Sequence, residues 1–335
     1  MFQKVRKFTA AALAAGLLLS MMFLGTGCGD GKQVVLTTGL KKNEVFRISD
    51  KSCMLPEVMI YLTNMQNQYE AIYGAGIWES SQTGSSMEEQ AKEQILAELA
   101  QVKAMVLLAE SKEVDLTELE EDRVRAAANE YFGSLNDTEV NVLGADAEII
   151  EKMFREYALS QKVYDQIIGS VNPEISDDEA RTITVLAIRT ENETDARSAL
   201  EQVKAEGADF ESLAETLSED TAISYSFGKG EVDKAIEKAA FELGKNEISG
   251  VIKAENGYYV LKCISTFDEA QTAANKEKIA NQRKSEAFAS EYNTFVDTLP
   301  RQLNEELWAT VQMVSDEAVT TDTFFATYDK FFTVE

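Results

Sequence analysis

Apolar residues recur at helical spacing through long stretches of this 335-residue chain, and this pattern constrains its fold more than any other feature. From about Ser86 to Ser111 apolar side chains return every three or four residues, so one face of a helix carries them. Similar stripes run through about 55–69, 116–132 and 146–168. An amphipathic helix has to bury its apolar face against another element. The pattern therefore predicts a largely helical body with a substantial core.

The stretch 268–335 is also predicted to be mostly helical, with Pro300 as a break. It contains a stripe of aromatic residues at helical spacing: Phe324, Phe325, Tyr328, Phe331 and Phe332. So many large rings on one helix need an apolar partner. The helices of the N-terminal part carry the nearest unpaired apolar stripes. We therefore expect both flanks of the chain to pack together into one helical body.

Charge and composition exclude several kinds of function. The formal net charge of −26 would repel phosphate backbones, so we expect no nucleic-acid partner. The chain contains no histidine. This absence removes the commonest general base, the usual serine and cysteine triads, and most zinc sites. We therefore predict no metal site and no cofactor.

The cysteines indicate neither a disulfide framework nor a redox motif. The chain has three of them, Cys28, Cys53 and Cys263, and no two form a CxxC pair. Cys53 and Cys263 could in principle pair with each other. Isolated cysteines of this kind are more often small, buried apolar residues.

The first 28 residues have the layout of a secretory signal. Three basic residues are followed by an apolar run over 8–24 and then by small residues up to Cys28. The segment resembles a bacterial lipoprotein signal, in which such a cysteine is lipidated and becomes the first residue of the mature chain. Gly25 stands where these signals usually have leucine. The alternatives are an ordinary signal peptide, or an uncleaved anchor, with an unrelated cysteine.

The middle of the chain has a different pattern, with strands as well as helices. A boundary at about 169–180, GSVNPEISDDEA, contains a glycine, a proline and a capping-box pattern. A strand (RTITVLAIRT), two helices, a loop and a third helix are predicted after it. Two strands then follow, joined by a tight turn at Asn256-Gly257. The predicted order over 181–267 is β-α-α-loop-α-β-β.

Two stretches of this middle part resemble parvulin-type peptidyl-prolyl isomerase domains: GADFESLAETLSED and FGKGEVDKAIEKAAFELGKNEISGVIKAENGYYVLKC. The resemblance implies the FKBP-superfold arrangement, β-α-α-α-β-β. With a lipoprotein-like signal and helical flanks, the whole chain resembles the PrsA/SurA group of extracytoplasmic foldases. The stretch EVFRISDKSCMLPEVMIYLTNMQNQYE resembles the chaperone segment of clostridial members.

The predicted fold class is α+β: a mostly helical chaperone domain, built from the N- and C-terminal flanks, with an inserted parvulin-like domain. All three prolines lie at the edges of predicted elements, as this division requires. The predicted parts are a lipoprotein signal peptide at 1–27, an N-terminal helical chaperone segment at 28–180, the parvulin-like domain at 181–267, and a C-terminal helical segment at 268–335 that packs on the N-terminal part.

The resemblance also implies where an isomerase site would lie. The family keeps two histidines that face each other across the sheet. The first position corresponds to Val185 or, one residue off, to Thr184, and Tyr259 occupies the second. A tyrosine donates a hydrogen bond but does not titrate near neutral pH. We therefore expect weak or no catalysis, and Tyr259 could also simply pack the sheet.

The family's proline slot corresponds here to Phe227, Val232 and Ile236, of which the last two are smaller than the family's Met and Phe. Asp220 retains an acidic position of many bacterial members and would lie near the substrate carbonyl. Prolyl isomerisation breaks no bond, and its barrier is amide rotation of about 18–20 kcal/mol. An apolar slot and a group that weakens amide resonance would lower that barrier. The simpler interpretations are a loop or cap carboxylate for Asp220 and helix core for Val232 and Ile236.

Three functions follow from these observations. The first is a foldase, lipid-anchored through Cys28 at the outer face of the cytoplasmic membrane, which binds unfolded exported proteins and has weak or no isomerase activity. The second is a fully active peptidyl-prolyl isomerase in which Asp220 and Tyr259 suffice. The third, a solute-binding lipoprotein, would need alternating strands and helices in two lobes, which the long helices in both flanks argue against.

Overall fold

The computed structural model describes most of the chain: residues 39–82, 85–172 and 174–333. These residues belong to two compact units. Unit 1 combines the chain up to Ser170 with the chain from Ala287 onward, and unit 2 comprises Val171–Glu286. The predicted signal segment and its Cys28 lie outside the described residues.

Unit 1 is mainly helical. Its helices are α1 (Leu55–Tyr73), α2 (Met87–Ser111), α3 (Glu118–Ser134), α4 (Asp137–Leu143), α5 (Ala147–Gly169), α11 (Glu305–Ala309) and α12 (Phe324–Phe332). A short 3-10 helix spans Ala75–Glu79. Its strands are β1 (Glu44–Ile48), β2 (Lys51–Met54), β3 (Ser81–Gln82), β4 (Ser85–Ser86) and β9 (Arg301–Leu303). Helix α10, Glu269–Val296, contributes its residues from Ala287 onward to this unit.

Polar residues set the starts of the unit 1 helices. Ser86, Thr117 and Asn136 each accept a hydrogen bond from the backbone N–H three residues later, and a glutamate at that position reaches back to the cap. Each pair satisfies two donors that a helix start leaves free. Short-range sequence signals therefore determine where α2, α3 and α4 begin.

The aromatic stripe of α12 is buried in the core that the N-terminal helices form. Phe324 is fully buried, and its ring stacks on Phe154 with centroids 4.4 Å apart. The rings of Tyr131 and Tyr61 lie 5.2 and 5.4 Å from it. Offset and edge-to-face contacts of this kind are the favourable geometries for aromatic pairs. The helix at 324–332 therefore closes the core of α1, α3 and α5.

The chain after Pro300 also contributes a strand that the helical pattern does not predict. Strand β9 pairs antiparallel with β1, so the small sheet of unit 1 has the order β2-β1-β9. Pro300 lies just before β9, and its carbonyl accepts a hydrogen bond from the Ser49 N–H at 2.9 Å. Pairing between distant segments produced this strand, because RQL by itself has no strand signal.

A buried group of charges connects α1, α2 and α5 inside unit 1. Lys103 is fully buried, and its ammonium contacts the carboxylates of Glu57 and Glu156. The Nζ atom of Lys152 lies 2.8 Å from Glu57 Oε1 and 3.5 Å from Glu156 Oε1. The Met54 N–H also donates to Glu57 at 3.0 Å. Every buried charge of this group thus has a partner of opposite sign.

Unit 2 contains a four-stranded antiparallel sheet in the order β6-β5-β8-β7. The strands are β5 (Ile183–Thr190), β6 (Ser224–Phe227), β7 (Ile252–Ala254) and β8 (Gly257–Ser265). The helices are α6 (Asp177–Ala180), α7 (Glu193–Val203), α8 (Phe210–Leu217), α9 (Lys234–Glu242) and the first part of α10. Helices α7 and α8 cover one face of the sheet, where Ile188 and Val260 are buried, and α9 lies on the other.

Strand β6 lies where the sequence predicts only a loop. The SYSF stretch alternates between exposed Ser224 and Ser226 and the inward side chains of Tyr225 and Phe227. This period of two is the strand signal, and four residues are too few to distinguish it from loop. Pairing with β5 makes these residues an edge of the sheet.

The predicted α+β class, a helical body from both flanks with an inserted sheet-containing domain, is confirmed. The chain passes from unit 1 to unit 2 between residues 170 and 171 and returns between residues 286 and 287. The predicted domain borders at 180/181 and 267/268 stay predictions.

Cys53 and Cys263 are each buried and free. All described strand pairs are antiparallel, so the two-lobed arrangement of a solute-binding protein gains no support. Within the described residues, no helix has the length and apolar character needed to cross a membrane.

Replacing Lys103 by methionine should destabilise unit 1 strongly, because Glu57 and Glu156 would stay buried without their main partner. We expect a loss of about 3–5 kcal/mol in the free energy of unfolding at pH 7. Lys152→Met is the matched control. Its side chain is 42% exposed, so its loss should be clearly smaller. Urea unfolding followed by circular dichroism measures both, and equal losses would contradict the assigned role of Lys103.

The same group predicts a pH dependence. Burial alone would raise the pKa of Glu57, but the charges of Lys103 and Lys152 outweigh it and hold that pKa below its usual 4.5. A lowered folded-state pKa contributes stability that is fully present above the unfolded value and is lost as the pH falls through the folded value. Wild-type stability should therefore drop on acidification below about pH 4.5. The deficit of Lys103→Met should shrink over that range, because the wild type then also loses the stabilisation that Lys103 gives to ionised Glu57.

Candidate functional site

The predicted site residues lie on one face of the unit 2 sheet. Val185 and Ala187 of β5 and Tyr259 and Leu261 of β8 share a buried cluster with Phe227 of β6. Residues two apart on a strand point to the same side, so this face is distinct from the one that carries α7 and α8. Helix α9 packs along its margin.

The three residues of the predicted proline slot are neighbours in this cluster. Phe227 is buried, and Val232 and Ile236 are half-buried against it. Phe241 adds a ring whose centroid lies 6.3 Å from that of Phe227. Asp233 caps α9 by accepting a hydrogen bond from the Ala235 N–H at 2.7 Å, which sets where the helix begins. An apolar wall, partly open to solvent, is the result.

Polar groups border this wall at one end. Tyr259 is 6% exposed, and its hydroxyl donates to Asn256 Oδ1 at 3.0 Å. Asp220 Oδ2 lies 3.3 Å from the hydroxyl of Tyr225, and Asp220 Oδ1 lies 3.6 Å from Arg189 Nη1. Both predicted polar residues are thus present at the site. Asp220 lies beside a cation, whereas the Tyr225 hydroxyl has a nearer acceptor in the Ala222 carbonyl, at 2.6 Å.

Arg189 and Tyr225 are site residues that the sequence analysis did not identify. Arg189 lies directly opposite Tyr259 in the β5–β8 pairing, and its Nε atom donates to the Asn256 carbonyl at 2.9 Å. Tyr225 lies opposite Val185 in the β5–β6 pairing. Arg189 could have been found from the sequence, because it lies near the end of the predicted strand RTITVLAIRT. No sequence signal pointed to Tyr225, because its strand was not predicted.

The turn before Tyr259 has a strict geometry. Gly257 has φ of +139°, and a Cβ atom there would lie 2.7 Å from the Thr190 carbonyl oxygen. Only glycine tolerates both this backbone conformation and this close approach. The turn therefore holds Asn256 in place as the acceptor for the Tyr259 hydroxyl.

Of the two positions considered for the family's first histidine, Val185 lies on the site face. Its side chain is 1% exposed in the same cluster as Tyr259, whereas Thr184 pairs with the Ser226 hydroxyl at 2.8 Å. Val185 and Tyr259 do not face each other as the family resemblance implies. Val185 is paired with Cys263, four residues along β8 from Tyr259, which is a separation of about 13 Å.

Both tyrosines stay neutral donors at physiological pH. Burial raises the pKa of Tyr259 above the usual 10, and the charge of Asp220 raises it further against the opposing effects of Asn256 and Arg189. Burial, followed by the charge of Asp220, also raises the pKa of Tyr225. The site can therefore hold an apolar ring and donate hydrogen bonds, but neither hydroxyl exchanges a proton near pH 7.

Among the described residues, no cluster of three or more acidic, cysteine or histidine side chains could hold a metal ion. The chemistry of this face is limited to apolar contact, the two hydroxyls and the Arg189–Asp220 pair. These groups suit the binding and twisting of a prolyl amide better than the making or breaking of bonds.

Comparisons with known proteins agree with this architecture. Residues 172–273 match the family model of the PPIC-type PPIASE domain. The chain is 23% identical over 297 residues to the foldase protein PrsA of Caldanaerobacter subterraneus subsp. tengcongensis, a match that covers 84% of this chain and 92% of that protein. It is 27% identical over 224 residues to the foldase protein PrsA of Streptococcus pneumoniae strain Hungary19A-6, covering 62% and 69%.

Solved structures give weaker likenesses. The peptidylprolyl isomerase PrsA from Bacillus cereus aligns with a TM-score of 0.38 at 20% identity, over 72% of this chain and 90% of that one. A structure described as one of two SurA-like chaperones of Campylobacter jejuni aligns with a TM-score of 0.29 at 11% identity, over 78% and 98%. Both TM-scores are low, so the interpretation of the site depends on this chain's own residues. The domain match identifies residues 172–273 as a PPIC-type, or parvulin, domain, and the chain on both sides of it is similar in sequence to PrsA foldases.

Proposed function

We propose that this protein is a foldase that binds unfolded, newly exported polypeptides, and that its parvulin domain isomerises prolyl bonds weakly or not at all. The composition of the site face supports the second part. It keeps the apolar slot of Phe227, Val232 and Ile236, but valine and tyrosine stand at the histidine positions. The slot is able to bind an apolar residue without the paired imidazoles that order the family's site.

The remaining polar groups are poorly placed to act on an amide. The Tyr259 hydroxyl donates to Asn256, and the Tyr225 hydroxyl donates to the Ala222 carbonyl at 2.6 Å. The Asp220 carboxylate lies beside Arg189, which also contacts Glu219. A nearby cation offsets the negative charge that would otherwise act on the substrate carbonyl carbon. Stabilising the twisted amide would require breaking these contacts first.

The second candidate is a working isomerase in which Asp220 and Tyr259 suffice. Two observations favour this candidate. Asp220 and Tyr259 border the apolar slot, and the Asp220 side chain is 31% exposed. Arg189 could orient a substrate carbonyl from the same side. Because isomerisation needs no proton transfer, the absence of a titrating base does not exclude it.

Surface features of unit 1 support the binding of unfolded chains. Ile72 and Tyr73 at the end of α1 are 56% and 65% exposed. The ring of Tyr69 lies 6.0 Å from that of Tyr73 and 5.7 Å from that of Trp78. Exposed apolar groups of this kind favour contact with other chains. The strong negative charge would keep the loaded complexes apart and soluble.

We further propose that the mature protein is tethered by lipid on Cys28 to the outer face of the cytoplasmic membrane. The basic, apolar and small-residue parts of the first 28 residues support this. A tether would keep the binding surfaces where polypeptides emerge after export.

An isomerase assay on a Xaa-Pro peptide tests the chemistry. The value of kcat/KM should lie at least about tenfold below that of a parvulin with both histidines, a difference of ~1.4 kcal/mol in transition-state stabilisation. Any residual rate should stay flat from about pH 6 to pH 9, because the chain has no histidine and both site tyrosines titrate above 10.

Replacing Asp220 by asparagine should lower any residual isomerase rate further. The control is Asp209→Asn at the α8 cap, where asparagine caps equally well. A high rate that ignores Asp220→Asn would contradict the proposal.

An aggregation assay locates the binding function. A chain in which 181–267 is replaced by a short Gly/Ser linker should keep its helical circular dichroism and still suppress aggregation of a chemically unfolded client. The reason is that the core of unit 1 draws on both flanks and not on the sheet of unit 2. The full chain with Asp220→Asn serves as the matched control and should suppress aggregation equally. Loss of suppression in a folded linker variant would show that the parvulin domain holds the client.

Replacing Cys28 by alanine tests the anchor. The thioether to the lipid forms only on that sulfur, so the variant should move from the membrane fraction to the soluble or secreted fraction. Cell fractionation and the mass of the N-terminal peptide measure this, with Cys53→Ala as a control that should stay at the membrane. An unchanged distribution with no lipid mass on wild type would exclude lipidation.

A further inference from the structure

Residues 311–323 lie in neither helix nor strand, yet side chains of α1 hold their main chain firmly. The Gln66 amide donates to the Val314 carbonyl at 2.8 Å and accepts from the Val314 N–H at 2.9 Å. The Asn67 amide donates to the carbonyls of Thr321 and Val319, at 2.8 and 3.2 Å. Side-chain amides thus satisfy main-chain groups that lie outside any helix or sheet.

Two further side chains continue this pattern toward α12. The Glu139 carboxylate accepts hydrogen bonds from the N–H groups of Thr320 and Thr321, both at 2.8 Å. The Asn64 side-chain oxygen accepts from the Phe324 N–H at 2.9 Å. Asn64 and Glu139 are themselves buried, with exposures of 0% and 3%. These groups are therefore fixed in position and well aligned to bind a chain.

Apolar side chains of the same segment enter the core of unit 1. Val311 and Val319 are 2% and 5% exposed, and Phe324 is fully buried between the rings of Tyr131 and Phe154. Two of the anchors, Val319 and Phe324, are five residues apart. Between them most contacts are to main-chain atoms that every polypeptide possesses, and one is to the Thr321 hydroxyl, which lies 3.0 Å from the Tyr131 hydroxyl.

Resting on the proposed foldase function, we propose that the cleft formed by α1, α4 and the rings of the core is a client site, and that residues 311–324 are its internal occupant. The client is an extended segment of unfolded polypeptide with two large apolar side chains about five residues apart. It displaces 311–324 and takes over the hydrogen bonds to Gln66, Asn67 and Glu139. Because these groups contact the backbone, the site accepts many sequences.

Displacement takes the Phe324 ring out of the core at the start of α12, but residues 311–323 share no helix or sheet hydrogen bonds with the rest of unit 1. Strand β9, which completes the small sheet, ends at Leu303, and helix α11 ends at Ala309. Both therefore stay in place when the segment leaves. Segments held without ladder hydrogen bonds belong to the part of a protein that opens locally.

A labelled synthetic peptide of residues 311–332 tests the site in the full chain. Fluorescence anisotropy should show saturable binding to the wild-type protein, with competition by a reduced and carboxymethylated globular protein as the unfolded client. A control peptide with prolines at 320 and 321 lacks the two N–H groups that Glu139 accepts. It should bind at least tenfold more weakly.

Variants of the full chain separate an exchangeable segment from a fixed part of the core. Phe324→Ala weakens the internal occupant, so the peptide should bind at least tenfold more tightly and aggregation suppression should rise. Asn67→Leu impairs the cleft, so both should fall. If Phe324→Ala loses the helical circular dichroism signal, Val319→Ala is tested instead, because it removes less side-chain volume. We expect Val319→Ala to bind the peptide more tightly and to suppress aggregation more strongly than the wild type.

Failure of this inference is distinguishable from failure of the proposed function. The peptide could fail to bind both the folded wild type and the folded Phe324→Ala or Val319→Ala chain while the wild type still suppresses aggregation. That result would overturn the client site and leave the foldase function intact. Reduced suppression in a folded Phe324→Ala or Val319→Ala chain would likewise mark 311–324 as a fixed part of the core. Wild type without any suppression would instead refute the foldase proposal itself.

Discussion

The buried contact of Lys103 with Glu57 and Glu156 is the interaction on which unit 1 depends. Apolar stripes alone would let α1, α2 and α5 slide past one another by a turn at modest cost, because leucine and isoleucine contacts are similar along each stripe. A charge taken out of water has to be paired. Moving any one of the three helices would leave an ammonium or a carboxylate unpaired in the core. The ion group therefore favours one register, and Lys152 reinforces it from the surface side.

That register determines what the rest of unit 1 can do. It brings Asn64, Gln66 and Asn67 of α1 into hydrogen-bond contact with the segment 314–324, and it forms the aromatic pocket that takes Phe324. Helix α1 thus has two roles. It carries apolar residues and Glu57 into the core, and its amide side chains hydrogen-bond the main chain of the segment 314–324. A chain-binding surface and a stable core are products of the same helix.

Unit 2 shows a parvulin framework with changed polar groups. The sheet, the covering helices and the apolar slot are kept, whereas the groups that border the slot are tyrosines and an arginine–aspartate pair. Apolar packing maintains the fold without regard to the polar residues at its edge. The fold of the domain therefore does not need histidines at the positions of Val185 and Tyr259. In the proposed function, this domain recognises polypeptide while unit 1 holds the client.

The sequence by itself determined the helical flanks, the helix starts near Ser86 and Thr117, and the parvulin-like order of elements, because periodicity, caps and turns are local properties. It also indicated Tyr259, Asp220 and the slot through motif resemblance. Only the tertiary structure decided what depends on distant partners: the strands β6 and β9, the position of Val185 away from Tyr259, and the pairing of Asp220 with Arg189. The same holds for the main chain of 311–324 on the amides of α1, since a hydrogen bond between residues some 250 positions apart leaves no trace in local sequence.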